Sequence, residues 1–407
     1  MTNGSYPLSF GQQSILLDAI QSGENIEDWS VRGLIRLPFA ITQIQIEEAL
    51  CEAERTFDSL HTRIADIADA DPEQLTQTLL QPRSKISIRE LALEEGKWWS
   101  FDEVPVFHLS AGYCWSAEKL TDPDTGNSAL RIWVNHIFAD VEAIKILINY
   151  LKAKLFSQMS IPVVPTVSSY VNWEREKWAT GRLAKRIKEH WAESAEVTSH
   201  MAIATSKEQK VSSIVIPCAQ SYVQKVSQMG TSLLKEILWG LIHTQEYSEQ
   251  PSPIRIETAN RRFSSNKNLV ISAVQFGLTP VLDPETSREG LNNPILSTIQ
   301  NGWFAPRDVE PFLPKINLVE GLGFPWIVNI AMLNRKFPDD DLTKLAKVQF
   351  TTDSYTTKLC SKVANYIAVN AWSDALEVRW VCAKPINAFG DIDNFTTNLQ
   401  GLVKSIS

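Results

Sequence analysis

The sequence has few cysteines and glycines and no cysteine cluster. Its five cysteines, at positions 51, 114, 218, 360 and 382, are odd in number and form no C-x-x-C pair. This pattern argues against a disulfide framework and against a cysteine-rich zinc site. We predict small buried side chains in a reducing compartment. With 17 Gly and 20 Pro in 407 residues, collagen-like and low-complexity classes are excluded.

Positive charge and long hydrophobic runs are also scarce. Lys and Arg total 39 against 47 Asp and Glu, a net charge of -8, which argues against electrostatic binding to DNA, RNA or an anionic membrane. No window of about 18 apolar residues is present. Met1 is followed by no basic region and no long apolar stretch, so no secretory signal is predicted. We expect a cytoplasmic protein with neither nucleic-acid nor membrane partners.

Cofactor motifs are absent as well. No glycine-rich phosphate loop of the Walker or Rossmann pattern occurs, which argues against nucleotide and nicotinamide chemistry. The six histidines show no metal-ligand spacing with one another, with Asp or with Cys. The sequence therefore predicts no metal site and no tightly bound cofactor.

Hydrophobic periodicity predicts helices and strands in alternation. A capping box of Thr42 and Gln45 predicts a helix start, and an apolar stripe predicts another helix directly after Asp140. Turn residues at 122–127 predict a hairpin, and a long helical pattern is interrupted at Gly181. Further segments predict a helix at 233–242 and strands at 31–37, 111–115, 129–135, 326–333, 364–371 and 375–382.

The mixture of strands and helices in two halves of similar length predicts an α/β fold of two α+β sandwich lobes. A segment with Pro162 and Pro165 is typical of a connection. We therefore divide the chain into a lobe at 1–165 and a lobe at 166–407. Two lobes in one chain already supply an interface, so we predict a monomer.

One histidine and one aspartate point to chemistry. His136 ends a predicted strand and Asp140 begins a predicted helix, so rigid elements fix both side chains. An imidazole held there, near its ordinary pKa, can take a proton from an attacking amine or hydroxyl, a role worth roughly 10² to 10⁴ in rate. The other interpretation is a hydrogen-bonded turn histidine with Asp140 only capping the helix.

Several segments stand in an informative order along the chain. They are Tyr-Pro-Leu-Ser-Phe-Gly-Gln-Gln at 6–13, the stretch 57–64, Asn-His-Ile-Phe-Ala-Asp at 135–140, Ser-Tyr-Val-Asn-Trp-Glu at 169–174 with Trp191, Thr-Ala-Asn-Arg at 258–261, and the stretch 326–333. In this order they resemble the condensation domains of nonribosomal peptide synthetases, which belong to the thioester-dependent acyltransferases related to chloramphenicol acetyltransferase. The resemblance covers essentially the whole chain.

The resemblance implies a V-shaped pair of chloramphenicol acetyltransferase-like lobes, with the active site in a tunnel at their junction. It implies an acyl thioester on the phosphopantetheine arm of an acyl or peptidyl carrier protein, and an amine or alcohol acceptor that attacks it. The product is an amide or an ester. The family motif is His-His-x-x-x-Asp-Gly, and its catalytic second histidine falls on His136, as general base or as the group that positions the nucleophile.

The chain departs from that motif at two positions. Asn135 replaces the first histidine and can still hydrogen-bond backbone, whereas Val141 replaces the glycine and is expected to narrow or re-aim the tunnel. In the family the motif aspartate is braced by an arginine, whose position holds His61 here. Because alternate strand residues face one side, we predict that Arg63 pairs with Asp140 instead.

The resemblance therefore implies a free-standing condensation enzyme of nonribosomal peptide or related natural-product biosynthesis. Two alternatives remain open. One is a coenzyme A-dependent N- or O-acyltransferase, although the Asp-Phe-Gly-Trp-Gly motif of the plant and fungal branch is missing. The other is a catalytically silent relative that recruits a partner or carrier protein, which the changes at Asn135 and Val141 would suit.

Overall fold

The computed structural model describes most of the chain, but not all of it. The described residues are 5–22, 25–38, 40–65, 71–92, 104–156, 164–198, 210–217, 232–244, 247, 251–259, 269–309, 326–332, 349–350, 365–371, 374–382, 395 and 397–401. Within them, helices and open sheets alternate, which confirms the predicted α/β class. Among the helices in these ranges, none combines the length and the hydropathy that a transmembrane span requires.

Contacts divide the chain into two compact units. The first comprises Met1–Ala184, Ala259–Gln275 and Ala305–Arg307, and the second comprises Lys185–Thr258, Phe276–Phe304 and Asp308–Ser407. The first unit is therefore discontinuous in sequence. The lobe boundary after residue 165 stays a prediction.

The helices and strands fall in the following ranges. The helices are α1 Phe10–Ser22, α2 Gln43–Thr56, α3 Val141–Leu155, α4 Val167–Ala179, α5 Arg182–Thr198, α6 Leu233–Ile242, α7 Asn292–Asn301 and the short α8 Pro306–Val309. The strands are β1 Ser5–Pro7, β2 Ser30–Leu37, β3 Thr62–Ile64, β4 Thr76–Leu79, β5 Arg89–Ala92, β6 Trp115–Thr121, β7 Ser128–Asn135, β8 Lys210–Pro217, β9 Ile254–Ala259, β10 Val274–Leu278, β11 Trp326–Met332, β12 Gln349–Phe350, β13 Asn365–Ala371 and β14 Ala375–Cys382.

The described strands form three sheets. A four-stranded sheet has the order β2-β7-β6-β5, and a three-stranded sheet has the order β1-β4-β3. A seven-stranded sheet has the order β10-β9-β11-β13-β14-β8-β12. In it β11 is parallel to both β9 and β13, whereas β14 is antiparallel to β13 and β8.

Helix α2 begins as the sequence predicts. The Thr42 hydroxyl accepts from the Gln45 amide, and the Gln45 side chain accepts from the Thr42 amide, which completes the capping box. Helix α3 packs on β2 at Gly33, where an added Cβ would lie 2.2 Å from Cδ1 of Ile148. The absence of a side chain at Gly33 therefore lets α3 lie close to the sheet.

The predicted hairpin forms, but its first strand is displaced. The strand is β6, Trp115–Thr121, and not the predicted 111–115. Glu118 and Lys119 interrupt the alternation of apolar and polar residues that predicts a half-buried strand. Glu118 is nevertheless buried, because it forms an ion pair of 2.7 Å with Arg131 on the neighbouring strand of the hairpin. The turn itself follows the predicted chemistry, with the Asp122 carboxylate accepting from the amide of Asp124.

The helix break at Gly181 is also found. Helix α4 ends at Ala179 and α5 begins at Arg182, and Gly181 has φ +96°, a conformation that favours glycine. The predicted helix at 233–242 matches α6. The strands predicted from 326, 364 and 375 match β11, β13 and β14 within a residue or so. Residues 260 and 261 of the Thr-Ala-Asn-Arg segment lie outside the described ranges.

Each unit has its own buried core. In the first, α2 and α3 contribute side chains such as Leu50 and Leu147 to one cluster. In the second, aromatic rings join the sheet to the C-terminal helical residues: Trp380 lies 5.6 Å from Trp326 and 5.5 Å from Phe395, between ring centroids. Cys51 and Cys114 are free thiols and are buried, as the sequence predicts.

Candidate active site

The His136 turn is held by the two strands that flank β7. Residues 129–135 of β7 are buried, and the strand pairs with β2 on one side and β6 on the other. At its end the Asn135 amide donates to the Cys114 carbonyl at 2.9 Å, and the His136 amide donates to the Trp29 carbonyl at 2.8 Å. Backbone hydrogen bonds therefore fix the position from which the His136 side chain projects.

Asn135 locks the turn with its side chain. Its Nδ2 donates to the Ile26 carbonyl at 2.9 Å, and its Oδ1 accepts from the Ile137 amide at 3.0 Å. The side chain is fully buried. An amide can donate and accept at once without titrating, so the departure from the family's histidine leaves the turn with both hydrogen bonds.

Asp140 closes the other end of the turn as the N-cap of α3. Its Oδ1 accepts from the Ala143 amide at 2.7 Å, and its Oδ2 accepts from the Ala273 amide at 2.9 Å. The residue is 1% exposed. The carboxylate therefore both caps α3 and ties the turn to a segment far along the chain. Val141 follows it with 37% of its surface exposed.

The predicted pair of Arg63 with Asp140 is wrong. Arg63 is exposed on β3 and forms no ion pair with the buried Asp140 carboxylate. The prediction counted two strand residues from His61, but His61 ends a 3-10 turn and the strand begins only at Thr62. The two-residue alternation therefore does not extend back to His61, and Arg63 faces outward.

His61 does not replace the expected arginine as a cation. It is 3% exposed, and burial lowers its pKa, while the charges of Asp58 and Glu54 act in the opposite direction. A lowered pKa keeps the imidazole neutral near pH 7. The braces on Asp140 described above are backbone amides, which carry no net charge.

His136 itself is half-buried. Burial lowers its pKa, whereas its own backbone, the charge of Asp140 and the backbone of Ala139 act to raise it. Its Nδ1 is buried and makes no hydrogen bond of ordinary geometry to the described part of the chain. The imidazole is therefore neutral near pH 7 and has a lone pair for a proton.

Two segments of the resemblance meet near the start of α1. The Glu174 carboxylate on α4 accepts from the Phe10 amide at 2.7 Å and from the Tyr170 hydroxyl at 3.1 Å. Negative charge at a helix N-terminus is stabilising. Segments 6–13 and 169–174 are thus joined by a structural contact. Across the described residues, no three His, Cys, Asp or Glu side chains are grouped to hold a metal ion.

The sequence did not reveal the role of Ala273, nor that of Glu174, which ends the segment 169–174. Ala273 acts through its backbone amide, and such a role leaves no signal in residue type. Glu174 had one available signal, because it lies four residues after Tyr170 in a predicted helix, where side chains meet. Of the residues singled out from the sequence, the structure brings Asn135, His136 and Asp140 into one turn and leaves Arg63 apart.

Comparison with known proteins gives a clear result for the fold. No family model matches the sequence, and no curated protein matches it. Solved structures do match over nearly the whole chain. The condensation domain of the monacolin K polyketide synthase MokA is 10% identical with a TM-score of 0.74, covering 98% of each chain. The SgcC5 protein from Streptomyces globisporus is 13% identical with a TM-score of 0.71, covering 98% of this chain and 99% of that one.

A third match is the X-domain from teicoplanin biosynthesis, solved in complex with OxyB. It is 11% identical with a TM-score of 0.67, covering 99% of this chain and 94% of that chain. At these identities the likeness concerns the fold, which does not fix the activity. The recurrence of condensation domains among the matches confirms the architecture expected from the sequence. The chain has the condensation-domain fold.

Proposed function

We propose that this protein is an acyltransferase of the condensation type, which moves an acyl group from a thioester to an amine or a hydroxyl. The observation that carries the proposal is the His136 imidazole. It is held on a braced turn, and its pKa is lowered by burial. A neutral imidazole in this fold is suited to act as a general base or to position the nucleophile.

The proposed reaction balances through one proton. The acceptor nitrogen or oxygen attacks the thioester carbonyl carbon, and a new C–N or C–O bond forms. His136 takes the proton of the acceptor, and Nε2 is the nitrogen for this role because Nδ1 is buried. The C–S bond then breaks, and the proton passes to the thiolate sulfur, which leaves as a thiol.

The thioester is proposed to arrive on the phosphopantetheine arm of an acyl or peptidyl carrier protein, or as coenzyme A. Both carry the acyl group on the same thiol chemistry. A hydroxyl acceptor is supported by SgcC5, which was crystallised with (R)-(-)-1-(2-naphthyl)-1,2-ethanediol and has nearly the same length. An amine acceptor remains part of the proposal, so the product is an amide or an ester.

The test is intact-mass measurement of products. Acyl and peptidyl carrier proteins loaded with short acyl groups, and acetyl-coenzyme A, are incubated separately with the protein and a panel of amines and alcohols. His136→Ala is expected to reduce turnover about 10²- to 10⁴-fold. His243→Ala removes an exposed histidine of the second unit and is the matched control, with turnover unchanged. Undiminished turnover in His136→Ala would contradict the proposed role.

A second candidate is a catalytically silent domain that recruits a partner protein. It is favoured by one comparison, the X-domain that was solved in complex with OxyB. The Asn135 and Val141 departures also suit it. This candidate predicts tight binding of a carrier or partner protein with no product from any loaded carrier, and with no effect of His136→Ala on binding.

A further inference from the structure

The first turn of α1 makes a very close contact with the segment 272–273, and Gly11 is the residue at that contact. A Cβ added at Gly11 would lie 2.6 Å from the carbonyl oxygen of Ser272 and 2.7 Å from Cα of Ala273. Cβ atoms essentially never approach other heavy atoms so closely. Both neighbours are backbone atoms, which cannot rotate away as a side chain does. Only glycine fits without displacing residues 272–273.

The same segment also contacts the His136 turn. The Ala273 amide donates to Oδ2 of Asp140 at 2.9 Å, while Oδ1 holds the Ala143 amide at 2.7 Å. Asp140 and Ala273 are 1% and 4% exposed, so water does not replace either bond. One brace on the carboxylate, the Ala273 amide, therefore comes from the residue that Gly11 packs against.

We propose that Gly11 is a positioning residue for His136. By letting α1 lie directly on residues 272–273, it keeps the Ala273 amide on the Asp140 carboxylate. Asp140 in turn fixes the start of α3 beside His136. The consequence for catalysis rests on the proposed function of His136, whereas the contact and its electrostatic effect do not.

The electrostatic effect has a definite sign. The charge of Asp140 raises the pKa of His136, against the larger effect of burial, which lowers it. A carboxylate that loses an N–H donor presents a stronger negative potential to its neighbours. Displacement of Ala273 therefore shifts the titration of His136 to higher pH. Simple loss of stability does not produce such a shift.

The test is NMR titration of the labelled His136 imidazole in Gly11→Ala. The matched control is Gly277→Ala in the second unit, where an added Cβ would lie 2.4 Å from the Thr298 carbonyl oxygen, an equally tight contact. We expect the His136 midpoint to rise in Gly11→Ala and to stay unchanged in Gly277→Ala. Adding Gly11→Ala to Asp140→Asn, which keeps an N-cap side chain, should give no further shift.

An unchanged midpoint in folded Gly11→Ala, or an equal shift in Gly277→Ala, would overturn the proposal. The outcome is separate from that of the proposed function. If the wild-type protein makes no product but the His136 midpoint rises in Gly11→Ala, the result supports the positioning role of Gly11 and contradicts the proposed acyltransferase activity. If Gly11→Ala lowers kcat without any shift of the His136 midpoint, the result supports the acyltransferase activity and contradicts the positioning role.

A second measurement covers the case in which Gly11→Ala does not fold. Hydrogen exchange of the Ala273 amide is followed in the wild-type protein and in Asp140→Asn. Loss of the charged acceptor is expected to speed exchange of this amide about tenfold or more. Equal exchange rates in the two proteins would show that Asp140 does not hold Ala273, and the proposal would then fail.

Discussion

The side-chain amide of Asn135 donates to the backbone carbonyl of Ile26 at 2.9 Å, across 109 positions of the sequence. Ile26 begins the short 3-10 turn that precedes β2, and Asn135 ends β7. The bond therefore joins the two neighbouring strands at the edge from which His136 projects. The same side chain accepts from the Ile137 amide, so one residue sets both the strand end and the turn.

Asn135→Ala is expected to destabilise the protein by about 2 to 4 kcal/mol. The buried Ile137 amide is left without this acceptor, at a cost of about 1 to 3 kcal/mol. The Ile26 carbonyl loses one donor but still accepts from the Trp29 amide, so this loss costs about 1 kcal/mol. Urea unfolding at neutral pH measures the effect. The exposed turn residue Asn127 provides the control, since Asn127→Ala should change stability by no more than about 0.5 kcal/mol. Equal effects of the two substitutions would contradict the bracing role.

Stability is expected to fall as the pH drops below 6.5, in part because of His136. Burial holds its folded-state pKa below the ordinary value of 6.5, so the unfolded chain binds more protons than the folded one between these two values. Each such histidine adds a slope of at most about 1.4 kcal/mol per pH unit. His136→Gln removes this share, and His61→Gln removes another, because burial also lowers the pKa of His61.

The free energy of unfolding is measured for wild type and both variants from about pH 7.5 to pH 5. The wild-type curve should be steeper than either variant, and the double variant should be the flattest. Parallel curves for wild type and His136→Gln would show that this imidazole titrates alike in the folded and unfolded states.

Glu174→Ala is expected to cost about 2 to 4 kcal/mol of stability. The Phe10 amide and the Tyr170 hydroxyl both lose their carboxylate acceptor, and α1 loses a negative charge at its N-terminus. Glu176, two residues further along α4, is exposed and serves as the control. Thermal and chemical unfolding measure the stability of both variants. A Glu174→Ala protein as stable as Glu176→Ala would contradict the link between the two segments.

Gly181→Ala is expected to destabilise by about 1 to 2 kcal/mol, although the site has room for a methyl group. The nearest atom to an added Cβ is 3.8 Å away, so the cost comes from the φ of +96°, which L-residues rarely adopt. Gly401→Ala lies at a helical position with no atom within 4 Å of its Cβ and without a positive φ. It should stabilise by about 0.5 to 1 kcal/mol. The opposite signs of the two effects are read from unfolding midpoints.

Much of the local structure could be predicted from the sequence because it depends on neighbouring residues. Three such features depend on contacts within a few positions of the chain, and the structure has each where the pattern predicts it. They are the capping box of Thr42 and Gln45, the N-cap Asp140 of α3, and Gly181 between α4 and α5. The turn from Asn135 to Asp140 could be identified for the same reason. Its residues are adjacent in sequence, and the strand and helix that flank it have clear periodicity.

What failed depended on distant residues or on a local change of geometry. The Arg63 prediction failed because a 3-10 turn interrupts the alternation between His61 and the strand. The first strand of the hairpin was displaced because the buried charge of Glu118 is balanced by Arg131 on the neighbouring strand. The role of Ala273 could not be predicted from its residue type, because almost any residue at this position would supply the same backbone amide.

The discontinuity of the first unit affects how the protein is synthesised. Residues 259–275 belong with the N-terminal 184 residues, and the chain between them belongs to the other unit. The ribosome therefore releases β7 and α3 well before it makes Ala273, whose amide binds Oδ2 of Asp140. On the nascent chain, Oδ2 of Asp140 therefore lacks the Ala273 donor until the intervening segment has been synthesised. A fragment ending at Ala184 would carry His136 on an unfinished turn.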